Sequence, residues 1–165
     1  MAMQTVRIYV MKHGVTDELG EITPLGLEQA EATIQACFQS DRVPIRAMYT
    51  SELLAARQCA ELAARMVDYD VKRVTESRLA ADDIGRGNFE EFLRALVKYV
   101  TRTLNLSDPQ INVVVVTSSP NVEFGLIGKP TVNHGDAVLY EFRTDNGRDV
   151  ERLPTAQHLP CPMAS

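Results

Sequence analysis

This sequence lacks a surplus of positive charge. Its 17 lysines and arginines face 22 aspartates and glutamates, a formal charge of −5. That balance argues against a nucleic-acid surface, because a phosphate backbone selects a net basic face. No apolar run is long enough to cross a bilayer, and the stretch from Met1 to Met11 is too short for a secretion signal. A cytoplasmic protein with no membrane partner is therefore expected. Cysteine is scarce: Cys37, Cys59 and Cys161 are odd in number and show no metal-type spacing, which argues against a disulfide framework or a zinc site. Cys37 and Cys59 read as small core hydrophobes. Internal repeats and low-complexity segments are absent, and nothing in the chain specifies an oligomeric state.

What is present is an ordinary globular composition, 45% hydrophobic and 24% charged over 165 residues, enough for one domain with a sizeable core. That domain is expected over residues 1–145. An irregular C-terminal tail, with Pro154, Pro160 and Pro162, follows over 146–165. β-branched and aromatic residues mark strands at 5–11, 45–50 and, as an edge, 71–75. Thr23-Pro24 opens a helix with a hydroxyl cap and a residue whose missing N–H is harmless there; its apolar stripe is Leu27, Ala30, Ile34, Cys37 and Phe38. Ser51 is expected to cap a second helix along Leu53, Ala56, Ala60, Ala63 and Val67. A third carries Phe89, Phe92, Leu93, Leu96, Val97 and Val100, a stripe that reads as core. Residues 111–117, INVVVVT, are apolar on both faces and belong at the centre of a sheet covered on each side by helices. A last strand is expected at 136–144. The fold class is α/β, a three-layer α/β/α sandwich around a mainly parallel central sheet.

Ligands of open α/β sheets bind where strands end and helices begin. Lys12, His13 and Gly14 fall at the end of the first strand, Ser51 beyond the second, and Ser118 and Ser119 at the end of the central one. The segments MKHGVTD, ITPLGLEQA, MYTSELLAARQCAELAARM and VVVVTSSP, in this order and spacing, resemble the histidine phosphatase superfamily, the phosphoglycerate-mutase-like fold, and within it the short phosphohistidine-phosphatase branch. The resemblance spans roughly residues 6–142. It implies that His13 is the nucleophile, attacking phosphorus to form phosphohistidine while cations and N–H groups neutralise the phosphoryl oxygens. It implies no cofactor and no metal. It also implies phosphate-binding roles for Lys12, Gly14, Thr16 and Thr23.

The departures from the family pattern are specific. Lys12 replaces an arginine, keeping charge but losing the planar fork that grips two oxygens. Leu19 stands where some members have asparagine. The arginine of the second helix falls on Ala55, and the arginine present is Arg57. Two positions at about 100° each turn a side chain by roughly 200°, so Arg57 lies on the opposite flank and is expected to pair with Glu61 on the surface. Ser118 occupies the place of the second histidine. His134 enters the same pocket if the last strand runs antiparallel; otherwise it is a turn residue of Asn-His-Gly-Asp. His158 reads as a tail residue without a role. Asp82, Asp83 and Glu76 sit in loops suited to a general acid, and His13, Asp17 and His134 form only a weak metal-ligand set.

Each lost transition-state donor costs about 10²–10³ in rate. The expected protein is therefore a degenerate histidine phosphatase, a pseudoenzyme with lost or very weak turnover. It binds a phosphate-like anion, a phosphorylated small molecule or a protein partner. The alternative is an active phosphomonoesterase or phosphohistidine phosphatase working through His13, with Lys12, Arg57, Ser118 and His134 holding phosphate.

Overall fold

Four parallel strands form the heart of the sheet: β1 (Met3–Lys12), β2 (Ala47–Thr50), β3 (Arg73–Thr75) and β4 (Gln110–Thr117). The computed structural model describes residues 3–39, 44–67, 71, 73–75, 86–104, 108–117, 122, 132–153 and 156–163. With β5 (Ala137–Asp145) and β6 (Arg148–Arg152) the strand order is β3-β2-β4-β1-β5-β6. β5 (Ala137–Asp145) runs antiparallel to β1 along nearly its whole length, from Met3↔Asp145 to Met11↔Ala137.

The register sorts side chains into two layers, because alternate residues of a strand face opposite sides. In β4, Val113 and Val115 join one core with Val6, Ile8 and Val10 of β1 and with Phe89, Leu93 and Val97 of helix α3 (Arg86–Lys98). Val114 and Val116 join the other, with Ala30 and Ile34 of α1 (Pro24–Ile34) and Cys59 and Ala60 of α2 (Leu54–Val67). The domain is thus a three-layer α/β/α sandwich, with α1 and α2 on one face and α3 on the other. All six residues of the expected α3 stripe are buried; truncating Phe89 to alanine would cost about 3–5 kcal/mol.

Four expectations need correction. The segment from Asn146 is not irregular throughout: β6 (Arg148–Arg152) and β7 (Gln157–Leu159) both pair with β5. Ser51 does not cap α2, because its N–H is still bonded to the Val116 carbonyl of the sheet, at 3.1 Å, and the helix starts three residues later. Its buried hydroxyl has no partner among the described residues. Leu27 faces solvent rather than the core. Arg57 does not pair with Glu61, whose carboxylate is taken by Arg65 at 3.6 Å and by Arg73 of β3 at 3.5 Å. No helix among the described residues is long and apolar enough to cross a membrane.

Candidate active site

The loop leaving β1 is built by close backbone contact. A methyl group on Gly14 would lie 2.1 Å from the Gly26 carbonyl oxygen, and one on Gly26 would lie 2.3 Å from that of Val15. Only hydrogen fits at either position, so the first turn of α1 rests directly on the loop. Thr23 caps that helix as expected: its hydroxyl accepts from the Gly26 N–H at 3.0 Å and donates to the Val15 carbonyl at 2.9 Å. Its only proton is thereby committed within the fold. Gln29 of α1 accepts from the Val15 N–H, and Gln58 of α2 from the Ile22 N–H. Thr16 bridges to Ile22 across the loop. Asp17 accepts from the N–H groups of Leu19 and Glu21, which leaves Leu19 at the loop tip, 87% exposed.

His13 is held by one contact that sets its chemistry. Nδ1 lies 2.9 Å from the Gly14 carbonyl oxygen. A carbonyl only accepts, so in the neutral ring Nδ1 carries the proton and Nε2 is left with a free lone pair. That is the tautomer a nucleophilic imidazole requires.

His134 arrives from the other side of β1. Because β5 is antiparallel, its start lies beside the end of β1, and the turn Asn133–Asp136 is stitched there. Gly135 N–H reaches the carbonyls of Lys12 and His13 at 3.2 and 3.3 Å, and Lys12 N–H donates to the Asp136 carbonyl at 2.9 Å. Gly135, at φ +85°, makes this turn passable. The two imidazole centroids are 5.9 Å apart. His134 is thus a turn residue whose ring stands beside that of His13. Partial burial pushes its pKa below the usual imidazole value, and the charge of Lys12 adds to the effect; a hydrogen bond to the His13 backbone opposes it.

Positive charge is thin here. Ala55 is buried at 2% exposure, and Arg57 is on the exposed flank of α2 with no partner among the described residues. No arginine among them touches His13 or His134. Beneath the loop, Cys59 is fully buried, and desolvation pushes its thiol up to about 12, so it is an inert core group at neutral pH. Ser118, Glu76, Asp82 and Asp83 lie outside the described residues.

The sequence reading missed Asp136 and His158. The buried Asp136 carboxylate accepts from Cys161 N–H at 2.7 Å, Asn133 N–H at 2.9 Å and His158 Nε2 at 2.9 Å. It fastens the C-terminal segment to the turn that carries His134. Three partners up to 25 residues away leave no local signature.

No protein-family model and no curated protein matches the sequence. Solved structures do match over nearly the whole chain. The protein histidine phosphatase SixA, in complex with tungstate, superimposes with a TM-score of 0.65 at 15% identity, covering 93% of this chain and 96% of its own. The fold is that of the histidine phosphatases. A mycobacterial glucosyl-3-phosphoglycerate phosphatase shares this histidine phosphatase fold at a TM-score of 0.66 and 15% identity, covering 96% and 99% of the two chains. Phosphoglycerate mutase from Plasmodium falciparum does so at 0.59 and 14%, covering 98% and 97%.

Proposed function

We propose that this protein binds a phosphoryl group at the end of β1 and is a weak phosphatase, one whose nucleophile survives in a charge-depleted pocket. The observation that carries this reading is the His13 Nδ1 contact with the Gly14 carbonyl, which leaves Nε2 ready to attack phosphorus. Lys12 takes the phosphoryl oxygens, and His134 joins it when its ring is protonated, since Nε2 then carries a proton to donate. Gly14 and Thr16 keep the loop in place, and Ser118 is a candidate further donor. Arg57, on the exposed flank of α2, is left out of the set.

In the first step the Nε2 lone pair forms an N–P bond as the ester P–O bond breaks, the departing alkoxide taking a proton from water; a second water then attacks phosphorus, breaking the N–P bond, releasing phosphate and returning the lone pair to Nε2. Without a guanidinium fork among the described residues, charge developing on the oxygens is poorly neutralised. Two lost donors at about 10²–10³ each place turnover far below that of a fully equipped pocket, even allowing for non-additivity. Buried Ala55 supports the depleted-pocket reading, in which binding a phosphorylated small molecule or protein outweighs turnover.

The test is covalent trapping. Wild type incubated with a ³²P-labelled phosphoryl donor and quenched in alkali should retain label, and His13→Ala should retain none. Equal label on both proteins would remove His13 as the nucleophile; no label on wild type across substrates and pH, while phosphate still binds, would reduce the function to binding alone.

A further inference from the structure

A cavity of about 590 Å³ opens beside His134, within the range that encloses a small ligand. Its chemistry differs from that of the phosphate cradle. Val15, Leu25, Pro160 and Met163 supply apolar surface, and Asn133 and His134 supply polar edges. Among the described lining residues there is no lysine and no arginine. Asp136 also lines it, a buried carboxylate whose oxygens are already taken by three donors.

We propose that this cavity is the subsite for the part of the ligand that carries the phosphoryl group, and that it selects an uncharged apolar group. The ligand class is the phosphate monoester of a neutral aliphatic or aromatic alcohol, as opposed to one bearing a second carboxylate or phosphate. This rests on the reading of His13 as the phosphoryl site, since His134 is the residue common to both. A second anionic group in the cavity would face the Asp136 carboxylate and an apolar wall, with no lysine or arginine among the described lining residues to pair with it. Each methylene buried there favours binding by roughly fourfold. Pro160 and Met163 come from the C-terminal segment that Asp136 fastens, so the tail helps to set specificity.

Calorimetric titration of the full chain with inorganic phosphate, benzylphosphonate and 3-phosphonopropionate tests the assignment. Benzylphosphonate should bind about tenfold or more tightly than phosphate, and 3-phosphonopropionate no more tightly than phosphate. Met163→Lys, and independently Leu25→Lys, should shift the affinity ratio of the two phosphonates by about tenfold toward the carboxylate. General damage to the fold would lower both affinities together and leave the ratio unmoved. If phosphate binds but 3-phosphonopropionate equals or exceeds benzylphosphonate in wild type, the subsite assignment is wrong. If phosphate itself fails to bind, the phosphoryl site is wrong and the subsite falls with it.

Discussion

The Nδ1 of His134 lies 3.4 Å from the carbonyl oxygen of His13, so the backbone beside one imidazole orients the ring of the other. As with His13, a carbonyl partner leaves Nε2 as the nitrogen free to face a ligand.

The lowered pKa of His134 has a defined sign. Its folded value is below its ordinary 6.5, so in acid the unfolded chain binds the proton more readily. The stability it contributes is present above pH 6.5 and is lost as pH falls from there through the folded pKa. Chemical denaturation between pH 7.5 and 5 should show this loss, and His134→Gln should lessen it. A bound anion reverses the preference by stabilising the protonated ring. Sulfate, whose charge is constant in this range, should bind more tightly on acidification, and less steeply in His134→Gln. Equal slopes in the two proteins would remove His134 from the anion site.

Gly14→Ala should destabilise the fold by about 1–3 kcal/mol, as overpacking does, because the obstructing atoms all belong to the Gly26 backbone. Thermal unfolding measures the loss. Sulfate affinity should fall with it, since α1 must move off the loop that carries His13. A variant with wild-type stability would contradict the Gly14 to Gly26 contact.

Ala55→Arg should return the missing fork. One charge-assisted pair contributes about 1.5–3 kcal/mol, so phosphate affinity should rise roughly tenfold or more by calorimetry. Arg57→Ala should change it little. The opposite pattern would place Arg57, rather than position 55, toward the phosphate.

Asp136→Asn exchanges a carboxylate that accepts three bonds for an amide that offers one acceptor atom and two donors of its own. A loss of about 1–3 kcal/mol is expected, with faster amide exchange at Cys161, whose N–H loses a charged acceptor. Unchanged exchange there would show that the segment is held by other contacts.

Much of the fold was legible because it is local. The VVVV run of β4, the α3 stripe and the Thr23-Pro24 cap each follow from spacing or composition within one element. The Ala55 and Arg57 contrast was legible for the same reason, since helical pitch alone separates them. β6 and β7 were not legible: they are short, lie among prolines, and exist by pairing with β5 rather than by propensity. His134 depended on the direction of one strand, and the Asp136 cluster on contacts between its turn and the C-terminal segment.

β6 and β7 lie along the same side of β5, opposite β1, β6 against Phe142–Asp145 and β7 against Ala137–Leu139. Together they occupy a row of backbone donors and acceptors that would otherwise serve as a template for another chain. A protein cut after Leu153 keeps β6 but bares that row at Ala137–Leu139, next to the His134 turn. Proteolytic loss of β7 would thereby turn the sheet's border into a seam for strand exchange, with self-association beginning beside the His134 turn.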